Sequence, residues 1–213
     1  MAGSNHKDTG RIPEPTLRRL PWYLSNVKLL KEQGCTYVSS TQLARGTGID
    51  ASQIAKDLSY VKLAGRTRVG YEIDTMVGVL EEFLWPKETH RAFLFGVGSL
   101  GAALLQDSGL KHYGLEIVGA FDVRGDVVGT SINSIPVFDL AELPERMHGS
   151  GVTIGVLTVP IGVAQDVTDL MVANGIKGVW NFTPFRIRVP EEIVVQNTSL
   201  YAHLAVMFNR LNV

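Results

Sequence analysis

Gly96-Val97-Gly98-Ser99-Leu100-Gly101 follows directly on the apolar run Ala92-Phe93-Leu94-Phe95, and Asp122 stands 21 residues beyond the last glycine. Three glycines at this spacing let the backbone turn sharply and bring its N–H groups against a pyrophosphate. The start of the following helix adds favourable partial charge for phosphates, and a carboxylate ending the next strand can accept from a ribose hydroxyl. A glycine triplet alone is a weak signal. Strand, turn, helix, strand and acid together predict a dinucleotide site, the bland alternative being a tight β–α turn that binds nothing. Val123 and Arg124 flank the acid and join it as candidate contacts. Asp122 favours NAD over NADP, because a 2′-phosphate would meet a carboxylate; Arg124 acts in the opposite sense. Ligands of open parallel sheets lie beyond the carboxyl ends of the strands, so Thr158-Val159-Pro160 and Asn181-Phe182-Thr183-Pro184 are candidates to line the far half of the cofactor.

A second chemistry sits upstream. Lys56, Lys62, Arg66 and Arg68 fall within 13 residues, interrupted only by Asp57. Such a cluster is a solvated face unless its context makes it a phosphate-binding one. The context is suggestive. Asp50 can cap a helix, Gln53 at N3 can reach back to it, and Ile49 and Ile54 can form a hydrophobic staple. Ile54, Leu58 and Val61 then make the inward stripe, leaving Ser52, Gln53, Lys56, Ser59 and Tyr60 outside. Before it, Val38 to Ala44 opens a short serine-capped helix carrying Ser40 and Gln42, and Gly46-Thr47-Gly48 reads as the turn between the two. Two short helices about a glycine turn, the second with a polar and basic outer face, describe a helix-turn-helix. Gln and Lys side chains reach base edges or phosphates in a major groove. Gly65 to Tyr71 reads as a β-hairpin wing whose Arg66 and Arg68 can hold phosphates.

The remaining elements position these two sites. Leu17, Leu20, Tyr23/Leu24, Val27 and Leu30 mark an amphipathic helix, bent or restarted near Pro21 and closed by Gly34. Met76, Val79/Leu80 and Phe83/Leu84 mark a linking helix broken at Trp85-Pro86, and the polar stretch that follows reads as a domain boundary. Downstream, a helix is expected from Ser99 to about His112 and a strand from Glu116 to Phe121. A short edge strand is expected over Ile135–Phe138, and a long strand over Val152–Val159. A helix over Val163–Asn174 and strands at Gly178–Phe182 and Ile193–Val195 complete a doubly wound parallel sheet. The chain closes on a helix, Ser199 to Asn212, with Leu200, Leu204, Met207/Phe208 and Leu211 on one face; that face either folds back as core or serves a dimer. The expected organisation is a flexible stretch (1–11), a winged helix (12–86), a Rossmann-like domain (87–198) and a dimerisation helix (199–213).

Composition sets the bounds. The 213 residues, 45% apolar and 19% charged with a net charge of −1, describe a globular α/β protein with a sizeable core. No apolar run is long enough for a membrane span, and the start shows no signal-peptide core, so a cytoplasmic protein is expected. A single cysteine, Cys35, permits no internal disulfide and reads as a partly buried, inert thiol.

Nearly all of residues 12–213 resembles the Rex family of redox-sensing transcriptional repressors. The resemblance is carried by Ile12 to Pro21, Lys56-Asp57-Leu58-Ser59-Tyr60, Val69-Gly70-Tyr71, Gly96 to Gly101, Ala120-Phe121-Asp122 and Gly175 to Phe182. It implies a homodimer with one winged helix per subunit on operator DNA, a Rossmann domain sensing NADH against NAD⁺, and a C-terminal helix exchanged between subunits. The chain departs from the family's pattern at Ala55, where an arginine is usual, at Val61-Lys62, where Phe-Gly is usual, and in its Arg66-Thr67-Arg68 wing. The family also tends to link its domains through an arginine, a tyrosine and an aspartate. Arg19 matches the first, while the other positions hold Asp107 and Ser199; an Arg19–Asp107 ion pair is the substitute these residues allow. Other readings are a small NAD-dependent oxidoreductase and a CoA- or nucleotide-binding module. The oxidoreductase would need an acid or base beside the nicotinamide, yet His112, His148 and His203 avoid the strand ends and Lys177 precedes a strand.

Overall fold

The computed structural model describes residues 12–85 and 88–211; the expected flexible stretch 1–11, Pro86 of the expected helix break, and Asn212 of the expected last helix lie outside them. The chain separates into two compact units, Met1–Lys87 and Glu88–Val213.

The first unit is built from α1 (Glu14–Glu32), β1 (Tyr37–Val38), α2 (Ser40–Thr47), α3 (Ala51–Tyr60), β2 (Tyr71–Glu72) and α4 (Ile73–Leu84). The helix α1 runs unbroken through Pro21, against the expected restart, burying Leu20, Tyr23, Leu24 and Val27 on both sides of it. Each fully buried side chain of this size is worth about 1.5–3 kcal/mol, which outweighs one missing backbone bond. Ser39 and Gln42 form a reciprocal capping box on α2, and Gly48, at φ +70°, ends it. Gly46 and Thr47 therefore belong to the helix, and the turn is shorter than the sequence suggests. Asp50 caps α3 through the N–H groups of Ser52 and Gln53, but Gln53 does not reach back. Its amide donates forward to Asp57 at 2.8 Å. The strands β1 and β2 pair antiparallel, and a tight hairpin between them is closed by reciprocal backbone bonds of Arg66 and Gly70. Cys35, just before β1, is exposed rather than partly buried.

The second unit holds a seven-stranded sheet, ordered β5 (Ser131–Ile132), β6 (Ile135–Asp139), β4 (Leu115–Asp122), β3 (His90–Phe95), β7 (Ile154–Leu157), β8 (Gly178–Asn181) and β9 (Val194–Asn197). All neighbours run parallel except β5, which pairs antiparallel with β6. The expected edge strand is thus internal, and β5 takes the edge. Period-two alternation divides β3 between two cores: Phe93 and Phe95 pack with Phe121 on one face, Ala92 and Leu94 with Val156 on the other. The rings of Phe93 and Phe95 lie 5.1 and 5.2 Å from that of Phe121.

Around the sheet lie α5 (Ser99–Gln106), α6 (Gly109–His112), α7 (Leu143–Met147) and α8 (Ala164–Ala173). The expected single helix 99–112 is two, because Asp107 turns extended and its carboxylate accepts from Leu110 N–H at 3.0 Å. The long strand expected over 152–159 shortens to β7. At the end, α9 (Leu200–Leu211) buries no residue among those described, and Leu200, Leu204, Met207, Phe208 and Leu211 are all exposed. The fold-back alternative is not what this chain adopts.

Candidate functional site

The glycines occupy one corner of the sheet for three separate reasons. Gly96 turns the chain out of β3 at φ +94°, where a Cβ would also press on Val159 N at 2.9 Å. A Cβ on Gly101 would overlap the Gly96 carbonyl oxygen and stand 3.0 Å from Thr158 Oγ1. That hydroxyl ties the corner together, lying 2.6 Å from Gly96 O and 3.0 Å from Phe95 O. Gly98 differs: it caps α5 at φ −77°, a conformation open to any residue, and a Cβ there would meet nothing within 4 Å. Its bareness serves no packing need within the chain and suits close approach of a ligand to the N-terminus of α5. We therefore expect Gly98→Val to fold, losing about 1 kcal/mol as a poorer helix cap, but to bind NADH at least about tenfold more weakly, a loss of about 1.4 kcal/mol; equal affinity in a fluorescence titration would remove the phosphates from this turn.

Asp122 closes the corner from β4. Its Oδ2 accepts from Val97 N–H at 2.7 Å, and its Oδ1 from the N–H groups of Val123 and Arg124 at 2.8 and 3.0 Å. Burial pushes the carboxyl upward, but these backbone donors and the Arg124 side chain prevail and hold it below its usual range. The acid is ionised at neutral pH and braces the glycine turn as well as facing the cleft. Arg124 completes the brace, donating from Nη2 to Val97 O at 2.6 Å.

A cleft of about 1050 Å³ opens here, at the carboxyl ends of β3, β4 and β7, and its lining is predominantly apolar. Gly96, Gly98, Asp122, Val123, Arg124, Thr158, Val159 and Pro160 line it. Ser99 and Leu100 are exposed on the first turn of α5, while Val97 turns into the core and Gly101 is buried beneath the turn. Asn181, Phe182 and Thr183 are not among the described residues that line the cleft. Asn181 is fully buried, donating to Phe185 O and Asn197 Oδ1 and accepting from Thr183, so it stitches β8 to β9. Phe182 packs its ring 4.6 Å from that of Trp180. Pro184, the next residue, does reach the cleft, together with Leu140, Ile161, Val163, Asp166 and Tyr201. The legible signal for Ile161 and Val163 was their position just past Thr158-Val159-Pro160.

In the first unit, Ser52, Lys56, Ser59 and Tyr60 are exposed on α3 and Ser40 is half-buried at the start of α2. Lys56 and Tyr60 make no side-chain bond among the described residues. Ser59 Oγ donates to Lys56 O, and the Gln42 carbonyl oxygen is held by the capping box, leaving its amide hydrogens available. Gln53 is the exception, its amide being committed inward. Arg66 Nη1 donates to Tyr37 Oη at 3.3 Å, and Arg68 sits at the wing tip with φ +66°. Arg45 is a further exposed cation, in the last turn of α2.

Asp57, read from the sequence as an interruption of the basic cluster, is fully buried. It accepts from Arg19 Nε at 2.6 Å and Nη2 at 2.8 Å, Tyr23 Oη at 2.7 Å, Thr16 Oγ1 at 2.9 Å and Gln53 Nε2 at 2.8 Å. Arg19 is thereby engaged bidentately within its own unit, and in the other unit Asp107 Oδ2 accepts from Leu110 N–H.

A winged helix-turn-helix in one unit and a Rossmann sheet with a glycine-rich phosphate turn in the other define the class of nucleotide-responsive transcription regulators. Residues 11–59 match the family model "Putative DNA-binding protein N-terminus", and residues 87–185 match "CoA binding domain". The chain is 70% identical over 207 residues to the redox-sensing transcriptional repressor Rex of Bacteroides fragilis, covering 97% of this chain and 94% of the relative. With the Rex protein of Anoxybacillus flavithermus it shares 41% over 194 residues, 91% of each chain. Among solved structures it is similar to RSP in complex with β-NAD⁺ and operator DNA (TM-score 0.88, 29% identity, covering 95% of this chain and 93% of that one). It is also similar to RSP with β-NADH (TM-score 0.84, 29% identity, 94% of each). The chain belongs to the Rex family of redox-sensing transcriptional repressors.

Proposed function

We propose that this chain is a cytoplasmic repressor that binds operator DNA as a homodimer and releases it when NADH occupies the cleft. The observation that carries this reading is the apolar cleft formed at the glycine corner of a chain that also presents a winged helix. On DNA, Tyr60, Ser52, Ser59 and Gln42 face the groove from α2 and α3 with Ser40 beside them, while Lys56 on α3 and Arg66 and Arg68 of the wing hold phosphates. Gly96, Gly98, Asp122 and Thr158 to Pro160 position the dinucleotide. Residues 12–86, 87–198 and 199–213 act as reading head, sensor and dimerisation helix; the exposed apolar face of α9 supports the last assignment.

NAD⁺ and NADH share every phosphate and ribose contact, so only the nicotinamide, cationic when oxidised and neutral when reduced, can be told apart. An apolar wall costs less to fill with the neutral ring. A switch further requires that NADH favour a dimer whose α3 helices miss the spacing of about 34–36 Å set by successive major grooves.

The test is binding to palindromic duplexes at fixed salt, with no cofactor, NAD⁺ or NADH. Specific binding lost with NADH alone supports the reading, whereas binding indifferent to both cofactors overturns it. Lys56→Ala is expected to weaken all duplexes about equally and to lower the slope of log K against log salt by about one. An unchanged slope would take Lys56 off the phosphates.

A further inference from the structure

A charged side chain that braces the glycine turn also reaches the cleft. Arg124 lines it beside Asp122, at the end of the strand whose terminal acid reads the ribose of the adenosine half. Its side chain is 48% exposed, against 8% for Asp122. The guanidinium holds the carboxylate loosely, Nε to Oδ1 at 3.3 Å and Nη2 to Oδ2 at 3.5 Å. Well-made charge-assisted pairs run at about 2.7–2.9 Å. Its shortest bond goes to a neutral acceptor, Val97 O, and Nη1 has no partner among the described residues. Three groups therefore compete around one guanidinium: a carboxylate that already takes three backbone donors, a carbonyl, and solvent. Asp126 adds a further negative charge nearby.

We propose that Arg124 is a specificity-determining residue of this cleft, setting how strongly a 2′-phosphorylated dinucleotide is excluded. A 2′-phosphate on the ribose read by Asp122 meets that carboxylate and is repelled, but it also comes within range of a guanidinium with free N–H groups. The phosphate offers bidentate acceptors, which a carbonyl does not. Arg124 therefore offsets part of the repulsion, and Asp122, by pinning Arg124, limits the offset. This inference rests on the dinucleotide reading of the cleft.

The experiment is fluorescence titration of the full chain with NADH and with NADPH, in wild type, Arg124→Ala, Asp122→Ser and the double variant, each checked by circular dichroism. The readout is the ratio of NADPH to NADH affinity, which loss of the brace on Val97 O alone would leave unchanged because both ligands share that turn. Arg124→Ala is expected to lower the ratio about tenfold, the worth of one charge-assisted bond. Asp122→Ser is expected to raise it by at least about tenfold, and the double variant to lose that gain. A ratio unmoved by Arg124→Ala, or a gain in Asp122→Ser that survives loss of Arg124, overturns the proposal while leaving the NADH site standing. Wild type binding neither nucleotide overturns the dinucleotide reading itself, and this inference with it. If Asp122→Ser does not fold, the ratio in Arg124→Ala decides alone.

Discussion

Asp57→Ala is expected to destabilise the N-terminal unit by about 3–5 kcal/mol, a large fraction of a domain's usual stability. The carboxylate is fully buried and receives five side-chain hydrogen bonds, two of them from one guanidinium. Its removal leaves Arg19 without its counter-charge, in a setting only 22% exposed, and strands the Tyr23 hydroxyl in the core. A single buried donor left unpaired costs about 1–3 kcal/mol, and an unpaired charge more. Asp57→Asn should fare little better, because it removes the counter-charge of Arg19 and its amide presents hydrogens to a guanidinium that has no acceptor.

The same network sets an acid limit. Burial works against ionisation of Asp57, but the bonds from Arg19, Tyr23, Gln53 and Thr16 outweigh it and hold its pKa at about 2. A depressed folded value means the contribution is complete above the unfolded value of about 3.9 and is lost as the pH falls through 2. Wild type should therefore lose stability steeply between about pH 4 and pH 2, with Asp57→Asn showing a flatter profile there. Urea unfolding followed by circular dichroism measures both effects. A cost below about 1 kcal/mol for Asp57→Ala would show that the network contributes little net.

Gly101→Ala is the second large effect. The added methyl would overlap the Gly96 carbonyl oxygen, and the obstacle is backbone held from the other side by Thr158. Neither side chain rotation nor a small slide relieves it, so α5 must move away from β3. Overpacking of this kind costs about 1–3 kcal/mol, and the displaced helix N-terminus should lower NADH affinity by about 10- to 100-fold or more. The contrast with Gly98 is diagnostic, since there the fold survives and only the ligand is obstructed. Wild-type affinity in Gly101→Ala, measured by titration, would place the dinucleotide elsewhere.

Much of this architecture was legible because its causes are local. The glycine turn, its preceding strand and Asp122 are fixed by spacing along one β–α–β unit, and the structure assembles them into one corner of the cleft. The Asp50 cap and the Ile54–Leu58 stripe lie within one or two helical turns, where residue type alone settles the outcome. Where the sequence misled, the deciding partner was distant. Gln53 was read as a cap partner, yet a buried carboxylate one turn on offered a stronger acceptor. Asp57 looked like one more exposed charge because Thr16, Arg19 and Tyr23, which bury it, lie 34 to 41 residues upstream. Asn181 stands at a strand end, and its side-chain amide is taken up by the loop carrying Phe185 and the strand carrying Asn197.

The sequence by itself determined the parallel, doubly wound class of the second unit and the corner where phosphates can be met, since hydrophobic period, capping residues and glycine placement act over a few residues. Only the tertiary structure decided which polar groups are spent on holding the fold and which remain for a ligand. That division depends on burial and on the direction of each hydrogen bond, and both are set by residues the chain brings together from far apart.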